Sequence, residues 1–507
     1  MMTPAVAETE PSKRDVIFVG TCARRSPHFE VQLELMIKHA EQGARLTFVQ
    51  CNGDAINHCE TNPFHRRLEC RMCIGKRESG LRAVGLPIER VDLGEQIAQA
   101  DAMEPFRERI RREFNTLAEL SEYRFDNFDC GEAVKSWLIS EARNLEPEVT
   151  KHRDYVSRAV DSSISIFVAF RMFLRRREAA DTLVYLFNGR GPTHRAVLRA
   201  CESGGVNFYT HERGSHVDKY LLAPNTVPHN IEFRKKLIDQ IWEAGAANPN
   251  RAQIGREFFG KRRKGVLTYN PDVSFIRHQQ SGSLPDDWLS NTERIVMLGT
   301  TESERAALRG FNQPGVYPTQ TEGMCRIIEG LAAADFKGKL VVRLHPNSRD
   351  EIGPLEQKLR SYELPFLEVV GATASIDTYA LISTATKAAV FWSNAGIEAA
   401  FDGLPVVLIG RAMYEGVGAT YNPQSHEEVI ALLLAKLEPK PAEGCIKYGY
   451  YMASYGTRFE HVEMLGRKRC RLNGHRIAAP FVLRHYYKLV RWLGDWNKMY
   501  EVDREVA

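Results

Sequence analysis

Arg343 and His345, in RLHPN (343–347), stand two residues apart at the end of an apolar run. Both can donate hydrogen bonds to a phosphate, and Pro346 stiffens the turn that presents them. FWSNAGIEAAFDGLPVVLIG (391–410) carries the strongest single pattern. A strand ends at Ser393 and Asn394, a helix runs from about Ala395 to Phe401, and Gly403 and Pro405 turn the chain into the next strand. Free N–H groups and the dipole at such a helix start favour an anionic phosphate, and Gly396 would let a ligand approach the backbone. Glu398, placed by this reading in the first turn, either binds a ribose hydroxyl or caps its own helix. In GTTESERA (299–306), Thr300, Thr301 and Ser303 either cap a helix or touch phosphate.

A second group lies earlier in the chain. NGRGPTHRAV (188–197) follows a strand and opens a helix, which puts Asn188 and Arg190 on an acceptor-side turn. THERGS (210–215) follows the next strand. Inverting group transfer to a hydroxyl needs a base, and Glu212 or His211, with His194 behind them, are the candidates. A structural ion pair of Glu212 with Arg213 or Arg190 is the alternative. Finally, Cys51, Cys59, Cys70 and Cys73 read C-x7-C-x10-C-x2-C. Four thiols so close in sequence can close one site for zinc or a four-iron, four-sulfur cluster, with His58 and His65 as alternative ligands. Unrelated thiols, or a dithiol pair of Cys70 and Cys73, are the other readings.

The elements that must position these residues follow from periodicity. DVIFVG (15–20), a helical stretch closed by Gly43, and RLTFVQC (45–51) make a β-α-β opening of a parallel sheet. Residues 97–180 are charged, helical in period and free of strand signals, a helical insert. Strands resume with TLVYLF (182–187) and VNFYTHE (206–212). A linker-like stretch spans 240–265, and strands at 266–270, 294–300, 339–346, 366–371, 388–393 and 404–410 make a second α/β domain. The fold class is therefore α/β with two Rossmann-like domains: 1–250, including the Cys-rich element 51–73; 265–440; and a helical tail, 441–507, packing back on the first. Two such sheets predict a cleft between domains, with ligands at the carboxyl ends of the strands.

Composition narrows the function classes. The chain has 507 residues, 43% apolar and 26% charged, the balance of a soluble globular protein. A net charge of +4 gives no global field for nucleic acid. Without a membrane-length apolar run or a signal-peptide pattern, a cytoplasmic location with reduced cysteines is expected. In the tail, Arg484, Lys488 and Arg491 share one helical face and Leu483, Tyr486, Val490 and Leu493 the other. That face could rest on the inner membrane surface, or the helix could pack on the first domain.

R-x-H-P followed by S-N-x-G-x-E-A-x-x-x-G-x-P-V-V resembles the nucleotide-binding half of bacterial capsule polysaccharide biosynthesis glycosyltransferases, including Kdo transferases and teichoic-acid-type polymerases. The resemblance covers mainly residues 290–440. It implies a GT-B fold, an inverting transfer, a donor served by His345, Ser393, Asn394 and Glu398, and Glu212 on the acceptor side. The cysteine cluster and the helical insert depart from it. On this reading the partners are a nucleotide sugar, of hexosyl, sialyl or Kdo type, and a saccharide or lipid-linked saccharide, with no metal required for transfer. Two further readings stand beside it: a nucleotide-sugar epimerase, and a non-catalytic metal-containing scaffold that binds a nucleotide.

Overall fold

Strand β1 (Asp15–Val19) is buried along its whole length, as a central parallel strand covered on both faces must be. Helix α1 (His28–Glu41) and β2 (Arg45–Gln50) complete the expected β-α-β opening, and Gly43 takes the left-handed conformation (φ 78°) that turns α1 into β2. The computed structural model describes residues 14–142, 144–264, 279–301, 306, 308, 310–313, 315–345 and 353–492. These fall into two units. One holds 14–137, 148–228 and 456–492, the other 138–147 and 229–455.

In the amino-terminal unit, α2 (Arg67–Val84) leads to β3 (Glu89–Asp92), a short, charged edge strand whose sequence, ERVD, gives no strand signal. The expected insert is helical: α3 (Leu93–Met103), α4 (Leu117–Glu122), α5 (Cys130–Ala142) and α6 (Arg153–Leu174). Then come β4 (Thr182–Phe187), α7 (Pro192–Ser203), β5 (Asn207–Arg213) and β6 (Lys219–Pro224). The sheet order is β6-β5-β4-β1-β2-β3, parallel except for β6. The order reverses between β1 and β4, and in open α/β sheets ligands bind at the carboxyl ends of the strands beside such a reversal.

The carboxy-terminal unit begins earlier than expected. The stretch 240–265, read as a linker, is the end of α8 (Ile231–Ala244), a turn, and α9 (Arg251–Arg263). The reason lies in two glycines. A Cβ on Gly255 would collide with the carbonyl oxygen of Ile446, and one on Gly449 with that of Gly255, so two helix backbones touch here. The strand read at 266–270 lies outside the described residues. The remaining elements are β7 (Arg294–Leu298), α10 (Gln320–Ala333), β8 (Lys339–Arg343), α11 (Gly353–Arg360), β9 (Leu367–Val370), α12 (Thr378–Thr384), β10 (Lys387–Val390), α13 (Asn394–Phe401), β11 (Val406–Leu408), α14 (His426–Leu434) and α15 (Glu443–Ser454). The sheet is parallel throughout, in the order β11-β10-β7-β8-β9. It reverses between β7 and β10.

The tail also differs from a plain helical tail. α15 belongs to the carboxy-terminal unit. From Gly456 the chain joins the amino-terminal unit, where β12 (Thr457–Arg458) extends the sheet beyond β6. β13 (Val462–Gly466), β14 (Arg469–Leu472) and β15 (His475–Arg476) form a small antiparallel sheet before α16 (Phe481–Trp492). A buried carboxylate fastens it: Glu34 of α1 accepts the N–H groups of Glu460, His461 and Val462 at 2.9, 2.9 and 3.0 Å. No described helix is long and apolar enough to cross a membrane.

Candidate active site

In the carboxy-terminal unit the central strands β10, β7 and β8 bring three predicted loops together. The side-chain amide of Gln320 grips Thr300 through both backbone groups: Thr300 N–H donates to Oε1 (2.7 Å) and Nε2 donates to the Thr300 carbonyl (3.2 Å). Thr301 Oγ1 then lies 3.5 Å from Nδ1 of His345, at the end of β8. Burial, with Arg343 and Arg262 adding to it, lowers the His345 imidazole to about 4, so it is neutral at pH 7. Pro346, Asn347 and Ser303 lie outside the described residues.

Beyond β10, Ser393 is the N-cap of α13, accepting from Ala395 N–H at 3.2 Å. Asn394 Oδ1 accepts from the Tyr448 hydroxyl at 2.9 Å, and Tyr414 donates to the Ser393 carbonyl at 2.6 Å. Three expectations change. Gly396 is small for packing rather than for a ligand: a Cβ there would sit 2.6 Å from the Tyr414 oxygen and 3.0 Å from Val390. Glu398 neither caps α13 nor sits in its first turn. It is buried one turn further on, held by the Arg262 guanidinium and by the Tyr379 hydroxyl at 2.7 Å. Arg343 is buried and spends its guanidinium on the Gly371 carbonyl, Thr378 Oγ1 (3.3 Å) and the Ala374 carbonyl (3.4 Å), which leaves it a positioning role for the β8 and β9 ends. Arg262, Tyr379, Tyr448 and Gln320 escape the sequence reading.

In the amino-terminal unit the carboxyl ends of β1, β4 and β5 carry the second constellation. Asn188, in the left-handed region (φ 53°), donates to Glu212 Oε2 at 2.6 Å. Arg213 N–H reaches Oε1 at 3.0 Å, and His28 Nε2 lies 3.5 Å from the same oxygen. Burial outweighs this carboxylate and lowers His28 to about 4. His211 is fully buried, faces Gln32 at 3.5 Å and is driven well below its usual range by burial. It therefore has no route to an acceptor, whereas the Glu212 side chain retains 18% exposure. Arg190 is half-buried on the same turn.

His194 belongs to a network that the sequence does not show. Its Nδ1 is bonded to Glu60 Oε2, and its Nε2 lies 3.1 Å from Thr21 Oγ1, across the reversal between β1 and β4. Glu60 Oε1 accepts Thr193 N–H (3.0 Å), Thr193 Oγ1 (2.7 Å) and His194 N–H (3.1 Å), so a carboxylate occupies the start of α7. Burial alone would raise this carboxyl. His194 and the N–H donors overcome it and hold it at about 2. A Cβ at Gly191 would strike the same carboxylate. Glu60 directly follows Cys59. The four cysteines are all free, with Cys51 at the end of β2, Cys59 in the following loop, and Cys70 and Cys73 one turn apart on α2.

Each unit is thus an α/β, Rossmann-like sheet with polar groups gathered where its strand order reverses. Residues 309–442 match the family model described as capsule polysaccharide biosynthesis protein, and that stretch contains Arg343, His345, Ser393, Asn394 and Glu398. No curated protein sequence matches the chain. Among solved structures, the chain is similar to a β-Kdo 2,4 transferase, KpsC of Thermosulfurimonas dismutans (13% identity, TM-score 0.35, covering 60% of this chain and 86% of that one). It is similar to the β-Kdo 2,7 transferase of the same organism (16%, 0.34, 63% and 89%). A UDP-GlcNAc 2-epimerase from Neisseria meningitidis is also similar (11%, 0.23, 86% and 99%).

Proposed function

We propose that this chain is a glycosyltransferase that moves a sugar from a nucleotide-activated donor to a growing capsule or related cell-surface polysaccharide. The observation that carries the reading is the position of the capsule-biosynthesis match: it falls on the β8 and β10 ends, where His345, Ser393 and Asn394 stand. The donor's phosphates would meet the N–H groups at the start of α13, neutral His345 as a donor, and Arg262, which must then share its guanidinium with Glu398. Protein groups alone would offset the leaving charge. Glu212, aimed by Asn188, would take the proton of the acceptor hydroxyl as that oxygen attacks the anomeric carbon. The carbon–phosphate-oxygen bond breaks, the nucleotide leaves with the electron pair, and the anomeric configuration inverts. The exposed Phe481, Val482, Tyr486 and Leu489 of α16, with Arg484 and Lys488 on the same helix, support a peripheral contact with an anionic inner-membrane surface, where a lipid-linked acceptor would be held.

Thermal unfolding against a panel of nucleotides and nucleotide sugars tests the donor site. One nucleotide class should raise Tm in proportion to its affinity, and His345→Ala should abolish most of that rise. A panel without any shift, or a shift untouched in His345→Ala, would overturn the site.

A further inference from the structure

The cysteine element is not used by the proposed transfer, yet its four sulfurs share one property. Each faces at least one hydrogen-bond donor. Gly53 N–H reaches Cys51 Sγ at 3.4 Å, and Ala55 N–H also faces it. Thr61 Oγ1 lies 3.4 Å from Cys59 Sγ, and its N–H also faces that sulfur. Asn62 Nδ2 donates to Cys70 Sγ at 3.1 Å, and the Arg24 N–H to Cys73. A neutral thiol is a weak acceptor, whereas a thiolate is a strong one, so donors aimed at all four sulfurs suit deprotonated ligands.

The surrounding backbone is built around the same point. Gly53 sits at φ +99°, and a Cβ there would lie 3.3 Å from Cys70 Cβ. His65 Nε2 is bonded to the Gly53 carbonyl at 2.5 Å. His58 packs edge-on to Tyr155 with ring centroids 5.0 Å apart, its backbone N–H donates to Ser162 Oγ of α6 at 3.1 Å, and among the described residues both its ring nitrogens are buried without a hydrogen-bond partner. Gly53 stands against two of the cysteines, with its N–H on Cys51 Sγ and an added Cβ only 4.0 Å from Cys70 Sγ, and Asn62, paired with Cys59 in an isolated bridge, donates to Cys70 Sγ. Cys51, Cys59 and Cys70 are thus gathered around one short loop, with Cys73 one turn along α2 from Cys70.

Spacing chooses between metals. Tetrahedral zinc with Zn–S of about 2.3 Å holds its sulfurs about 3.8 Å apart. Among the described residues, no three of these sulfurs lie within 4.8 Å of one another; the one such group of His, Cys, Asp and Glu ligand atoms is Glu34, Glu460 and His461. That group is accounted for by the hydrogen bonds Glu34 accepts from β13 and its approach. A cubane, with one thiolate on each of its irons, spreads its ligands further than a single ion does. We propose that Cys51, Cys59, Cys70 and Cys73 bind a four-iron, four-sulfur cluster, in a structural role, each thiol losing its proton to the medium as it takes an iron. Cys59 carries Glu60, so the cluster would set the loop whose carboxylate holds the start of α7.

The test is elemental and spectroscopic, on the full chain purified without oxygen. About four irons and about four acid-labile sulfides per chain are expected, with a broad visible absorption that bleaches under a strong reductant. Cys59→Ser and Cys73→Ser should lose most of both, and Cys201→Ser, buried within α7, should keep them. Should the cluster variants fail to fold, reconstitution of the unmutated apoprotein with ferrous iron and sulfide decides: recovery of colour and stoichiometry upholds the proposal. Stoichiometric zinc with no sulfide, the absence of any metal after reconstitution, or full iron in Cys73→Ser would overturn it.

Discussion

Glu212 is oriented from two sides, by the Asn188 amide and by Arg213 N–H, and it keeps partial access to solvent. As the proposed base, it should be lost cleanly. Glu212→Gln is expected to lower kcat for transfer by about 10²–10⁴-fold with Tm almost unchanged, and the check is steady-state kinetics beside a melting curve. Arg343 should behave in the opposite way. Arg343→Met strands three acceptors that it now satisfies, so it should cost about 2–4 kcal/mol of stability with little change in donor affinity for the folded fraction, read by urea unfolding and by titration. RLHPN announced both Arg343 and His345, but the sequence could not tell which would face inward. That choice depends on the Gly371 and Ala374 carbonyls, which come from a loop 28 and 31 residues away. Glu60 was illegible for a similar reason: its partners are more than 130 residues distant, at the start of α7.

The elements were more legible than the contacts. Runs such as TLVYLF and KLVVR carry their burial in the sequence, because a parallel strand covered on both faces is apolar throughout. The failures are elements whose stability is tertiary. ERVD becomes β3 only because β2 offers it an edge, and β13 to β15 depend on Glu34 to cap the strand that begins them. α9 looked like a linker because its mean composition is polar, and its reason to exist is the glycine contact with α15. Gly255→Ala should therefore overpack that seam and cost about 1–3 kcal/mol, measured as a lowered midpoint in urea. A similar substitution at Gly260, which has open space around it, should leave the midpoint unchanged or raise it.

At the scale of the whole molecule, buried histidines set the response to acid. Burial is the leading cause in each case: His28, His39, His58 and His345 are lowered to about 4, and His211 well below its usual range. In the unfolded chain these rings take a proton near pH 6.5. Between about pH 6.5 and 4 the unfolded state thus binds more protons, and stability must fall as pH drops through that window. A second loss follows lower down, because Glu60 and Asp129 are held at about 2 and their contribution disappears as pH falls from the ordinary carboxylate range to that value. Melting curves at pH 8, 6 and 5 should show a small first step and a larger second one. A Tm constant down to pH 5 would contradict the buried, neutral histidines.

Sugar transfer from a nucleotide donor to a saccharide is decided by product analysis. The donor identified by thermal shift is incubated with the protein, with and without an oligosaccharide acceptor, and both sugar and nucleotide products are followed by mass spectrometry and NMR. A transferase of this kind yields a glycosylated acceptor with inverted anomeric configuration, free nucleotide in equal amount, and only slow donor hydrolysis when acceptor is absent. Conversion of the donor to its epimer without acceptor, or tight donor binding with no transfer to any acceptor, would contradict it.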